Sequence, residues 1–128
     1  MSVPAGFLYL PACFVGSKIK AWNFDTYNFK NYKIYLTEIA TKNNNDHYAP
    51  NVANSYASGI NSSSRIYGKN LWEITSSEDL RKIYEDLEKN EDFTVQNSKS
   101  NATYSNALKR YMEYLQYKES INNNSAQD

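Results

Sequence analysis

The stretch 101-NATYSNALKRYMEYLQYK-118 decides the fold. Tyr104, Leu108, Tyr111 and Leu115 recur at spacings of four, three and four, the return period of an α-helix. At about 100° per residue, Ala107, Met112 and Tyr114 widen this stripe to roughly 160°. Most of the tyrosines therefore belong to a core, while Asn106, Arg110, Glu113 and Tyr117 take the far side. Glu113 follows Lys109 by four residues and Arg110 by three, so it partly neutralises both.

Working outward from this helix, expected over 102–119, three further helical segments follow from apolar period. In 25–41, Phe29, Tyr32, Leu36 and Ile39 form one stripe. Segment 50–67 begins at Pro50, whose missing N–H costs nothing in a first turn, and ends before Gly68, suited to a left-handed terminal residue. Its inward side is read as Val52, Tyr56, Ile60, Ser63 and Tyr67. Thr75 and Glu78 fit a capping box ahead of a third helix with Leu80, Ile83, Tyr84 and Leu87 inward. The linker 91-EDFTVQNSKSNA-102 carries no helical stripe, and Phe93 and Val95 suggest an extended piece. The expected fold is mainly α: a compact bundle of about four helices with a short extended N-terminal arm. The arm occupies 1–24 and packs on the body, the helical domain occupies 25–119, and 120–128 is a disordered tail.

Composition narrows the chemistry. A chain of 128 residues suffices for one core without metal or disulfide staples. Fourteen basic and fourteen acidic side chains cancel, so no net field gathers nucleic acid or an anionic membrane. The charge is nevertheless segregated. Residues 1–70 carry seven Lys/Arg against three Asp/Glu, 71–92 carry three against eight, and 93–121 carry four against two. A single cysteine, Cys13, forms no internal disulfide, which points to a reducing, cytoplasmic compartment. The opening MSVPAGFLYLPACFVG is too short and too interrupted by Pro4 and Pro11 for a spanning helix, and it lacks a preceding cation for a signal peptide. No membrane role is expected. Richness in Asn, Lys and Tyr suggests AT-rich coding, hence a bacterium or its phage.

Enzymatic constellations fail by subtraction. One histidine, His47, in a polar loop supports no metal cluster, the four glycines are scattered, and the carboxylates of the third helix lie among polar neighbours. No catalytic residue, cofactor or metal is expected. Binding chemistry is better represented. Asn54, Ser58, Asn61 and Arg65 form a stripe of short polar side chains ending in a guanidinium, a surface suited to base edges and phosphates. Lys18, Lys20, Lys69, Lys99, Lys109 and Arg110 are candidates for phosphate contacts.

The run SYASGINSSSRIYGKNLWEITSSEDLRKIYEDLEKNEDF followed by ATYSNALKRYMEYL resembles the helical, SAM-like core-binding domain of tyrosine recombinases. It is also similar to N-terminal modules of restriction-associated proteins. The resemblance covers roughly residues 25–118 and implies a helical clamp on duplex DNA, with Asn54, Ser58, Asn61 and Arg65 facing the duplex and Lys109 and Arg110 adding to it. The Arg/His/Tyr catalytic domain of those recombinases has no counterpart here, so no strand cleavage is implied. Two readings follow. One is a non-catalytic duplex-DNA-binding module of a mobile-element or restriction-related protein. The alternative is a small phage-type inhibitor, of anti-CRISPR or anti-restriction kind, that offers Glu85, Asp86 and Glu88 to the basic channel of a nucleic-acid-processing protein.

Overall fold

The computed structural model describes residues 23–24 and 26–127, with side chains through Asn122. The expected apolar arm lies outside the described residues except for Asn23 and Phe24, as do Cys13, Lys18 and Lys20. The elements are α1 (Tyr27–Glu38), α2 (Pro50–Tyr67), a 3-10 turn (Leu71–Glu73), α3 (Ser77–Glu88), α4 (Glu91–Lys99) and α5 (Thr103–Gln127). Among the described residues the protein is a helical bundle without strands.

The long helix α5 is the spine, with α2 as its main neighbour and α1, α3 and α4 packed around it. Ala107, Leu108, Tyr111, Tyr114 and Leu115 are buried along it, as their period requires. Helix α2 has the expected bounds because both ends carry the right chemistry. Pro50 opens it, and Gly68, at φ 88°, closes it by donating its N–H to the Ser64 carbonyl over 2.8 Å. Its inward face is made of smaller residues than expected: Ala53, Ala57, Gly59, Ile60, Ser63 and Ser64. Val52, Tyr56 and Tyr67 are only half-buried. Small residues bring the two backbones together, and a Cβ placed on Gly59 would stand 3.3 Å from the Ala107 Cβ.

Trp72, on the 3-10 turn, is the centre of the core and is 2% exposed. Its ring lies 5.1 Å from Tyr111, 5.4 Å from Phe29 and 5.6 Å from Tyr32, the Phe29 and Tyr111 contacts being edge-to-face. The turn leaves backbone groups without helical partners, and side chains supply them. The Asn70 Oδ1 accepts from the Trp72 N–H (3.1 Å), the Trp72 carbonyl accepts from Asn28 Nδ2 (2.8 Å), and the Tyr111 hydroxyl lies 3.1 Å from the carbonyls of both Leu71 and Ile74. The Tyr32 hydroxyl donates to the Ala107 carbonyl (2.9 Å), and Tyr114 and Lys118 both donate to Asn28 Oδ1.

Four features depart from the sequence reading. Residues 91–99 are helix, not an extended linker. Asn90 caps this helix by accepting from the Phe93 N–H (3.0 Å), Glu91 and Asp92 sit at its positive end and Lys99 at its negative end, and Phe93 is its one buried residue. The cap of α3 is Ser76, whose hydroxyl accepts from the Asp79 N–H, and not Thr75. Glu119 reinforces that end, its carboxylate oxygens accepting from the Ser77 N–H and hydroxyl, each over 2.8 Å. Helix α5 runs through Gln127, across the stretch expected to be a disordered tail. Finally Ile39 lies beyond the end of α1 and is exposed.

The tyrosine core dictates an alkaline limit. Burial pushes the Tyr114 phenol up to about 12, and burial also raises Tyr32 and Tyr111 from the ordinary 10. A proton held more tightly when folded favours the folded state until the unfolded phenols ionise, so stability is full below pH 10 and falls as pH rises through about 12. Parallel records of tyrosinate absorbance and helicity against pH should show late phenol ionisation accompanying loss of helix. Truncation of Trp72 to alanine should cost about 3–5 kcal/mol in urea unfolding.

Candidate functional site

The α2 stripe expected to read DNA is mostly outside and wettable: Asn54, Ser58 and Arg65 are exposed, as is Lys69 beyond the helix end. Asn61 is different. It is half-buried, and its Oδ1 accepts from the Trp72 indole N–H over 2.7 Å, so it secures the core before it offers anything to a ligand. Arg65 lies over the Phe24 ring, its guanidinium carbon 5.0 Å from the ring centre, which orients the charge beside the stripe.

Helix α1 supplies cations to the same side. Lys30, Lys33, Ile34 and Thr37 face Pro50, Ala53 and Asn54 across a shallow groove of about 210 Å³. Lys33 Nζ stands 4.2 Å from the centre of the Phe29 ring, which packs at a right angle to Trp72. Lys30 and Lys33 were not among the expected site residues. The signal available was their spacing of three on the flank of α1, between the buried stripe and solvent.

Lys109 and Arg110 are not gathered with this face. The Arg110 Nη1 donates to the Tyr48 hydroxyl (3.2 Å), and the Tyr48 ring lies 5.8 Å from Tyr56. At about 100° per residue Tyr56 points some 140–180° away from Asn54, Ser58, Asn61 and Arg65. Arg110 also donates to Glu113 Oε2 over 3.0 Å, and its Nε lies 2.9 Å from Oε1, close enough for an ion pair but without hydrogen-bond alignment. Burial works against the Arg110 charge, and Tyr48 and Glu113 more than offset it, so its pKa is raised. Lys109 is exposed on the same helix.

The acidic trio of α3 is exposed and locally engaged in part. Glu85 pairs with Arg81, which also bonds Glu78, and Asp86 accepts from the Tyr67 hydroxyl over 3.3 Å. Burial, with the Glu88 charge adding, raises the Tyr84 pKa. Burial, with Asp86 adding, raises the Tyr67 pKa. Tyr67 leaves α2 about 200° from Arg65, so the turn of helix that meets the acidic surface is not the one that carries the guanidinium. His47 is exposed with Nδ1 2.6 Å from the Ala40 carbonyl. Among the described residues no group of His, Cys, Asp and Glu is arranged for a metal ion, and no helix is long and apolar enough to cross a membrane.

Asn61→Ala should lower stability by about 1–3 kcal/mol, because it strands a largely buried indole donor. Urea unfolding followed by circular dichroism checks this, and Asn54→Ala on the same face should change the midpoint little. No protein-family model, curated protein or solved structure matches the chain.

Proposed function

We propose that this protein is a non-catalytic module that binds duplex DNA through the α1–α2 face. The observation that carries the reading is the meeting, across one groove, of Lys30 and Lys33 with Asn54, on the face that continues to Ser58 and Arg65. Cations and short polar side chains in this arrangement suit a polyanion with readable edges: the lysines and Arg65 neutralise phosphates while Asn54 and Ser58 approach base edges. Asn61 serves this face indirectly, by fixing Trp72 beneath it. Lys69 extends the basic track beyond Gly68. Similarity of helix order to recombinase core-binding domains agrees with a clamp of this kind, from a mobile-element or restriction-related protein.

The rival reading, an inhibitor that presents Glu85, Asp86 and Glu88 to a partner's basic channel, has less in its favour. Glu85 and Asp86 already have partners within the chain.

Fluorescence anisotropy with a labelled duplex over a salt series tests the proposal. Binding should weaken linearly in log affinity against log salt. A Lys30→Ala/Lys33→Ala/Arg65→Ala variant should bind more weakly, with a slope shallower by about 0.9 for each lost phosphate contact. Lys109→Ala should bind like the parent. Absence of binding at low salt, or equal loss in the Lys109→Ala control, would refute the assignment of this face.

A further inference from the structure

A second groove lies where α1 meets the C-terminal half of α5, adjoining the first at Ile34. It encloses about 240 Å³ and is lined by Tyr27, Ile34, Ile39, Tyr117, Lys118 and Ile121, among others. Its walls are unusual for a water-facing surface. Of the six large apolar side chains that are exposed among the described residues, Val95 alone lies elsewhere; Tyr27 is 70% exposed and Ile34 46%. Isolated exposed apolar residues need no explanation, but a contiguous set marks a surface that something covers. The lysine in the groove is already turned inward. Lys118 Nζ donates to the buried Asn28 over 3.0 Å and sits above the rings of Tyr27 and Tyr114, so the groove presents ring faces and aliphatic carbon.

We propose that the groove is the seat of this chain's own N-terminal segment 6-GFLYLPACFV-15, bound in cis. Two observations and the effect of tethering select this occupant. First, the composition matches: the segment contains no charged residue and offers Phe7, Leu8, Leu10, Phe14 and Val15 to a wall of isoleucine and tyrosine. Second, the tether reaches. The chain is held at Asn23, whose carbonyl accepts from Asn70 Nδ2 over 3.3 Å, and enters α1 at Tyr27, itself a wall of the groove. The seven residues 16–22 span up to about 25 Å when extended, whereas α1 from Tyr27 to Ile39 is about 18 Å long. Third, a tethered segment competes at an effective concentration on the order of millimolar, which a second copy does not match in dilute solution. This inference stands apart from DNA binding, since neither Lys30 and Lys33 nor Asn54 lines this groove, although Ile34 borders both.

The chain's single cysteine, Cys13, lies in the proposed segment and makes the test direct. A second cysteine is introduced into the full chain as Ile34→Cys or as Ile39→Cys, with Glu85→Cys on α3 as the control. After mild oxidation of dilute protein, non-reducing electrophoresis and intact mass should show a monomer with an internal disulfide in the groove variants, formed at least roughly tenfold faster than in the control. Equal rates in all three, or disulfide-linked dimers as the main product, would overturn seating in cis. A measurement free of added thiols accompanies it: Leu10→Asp/Phe14→Asp in the full chain should speed nitration of Tyr27 and Tyr117 while leaving Tyr104 unchanged. Unchanged rates at Tyr27 and Tyr117 would equally sink the proposal.

Discussion

The bundle depends on how Trp72 is held. Its 3-10 turn is only three residues long, so its backbone groups lack α-helical partners and look to side chains. Asn70, Asn28 and Tyr111, from the turn itself, α1 and α5, meet those groups, and Asn61 of α2 meets the indole N–H. The turn and its indole are thereby tied to three helices. The core is consequently directional: several of its largest members are phenols and an indole whose polar tips must find named partners, and each ring can sit in one orientation only. Burial supplies most of the stabilisation, and the polar tips decide which arrangement of helices receives it.

The candidate site inherits its geometry from this core. Phe29 meets Trp72 at a right angle and carries Lys33 near its face. Asn61 sits in the middle of the polar stripe and holds the indole. Charges on the α1–α2 face are thus positioned by rings beneath them, while the carboxylates of α3 are attached to a helix whose neighbours are α5 and α4. The arrangement separates cationic from anionic surface although the two signs are equal in number along the chain.

How much of this was legible beforehand follows from how local each cause is. Helix α2 was readable to the residue, because Pro50 and Gly68 act within one turn of where they stand. Helix α5 was readable from period alone, because Tyr104 through Leu115 bury a continuous stripe. Helix α4 was not, since Phe93 by itself makes no stripe; its evidence was the Asn90 cap and the charge order from Glu91 to Lys99. In the site, Asn54, Ser58 and Arg65 were placed correctly on the outside by the same period. Asn61 looked identical to them, and its partner lies eleven residues on, across a turn that sequence does not resolve. Arg110 likewise depends on Tyr48, sixty-two residues away.

The segregation of charge has a further consequence. A body with equal numbers of positive and negative groups feels no net pull in a uniform potential, but an uneven distribution gives it a moment, and a moment feels torque. Near any strongly charged surface such a molecule is turned before it is drawn in. Orientation, and not accumulation, is then what its electrostatics contribute to an encounter, over a range set by the Debye length of about 8 Å at physiological salt.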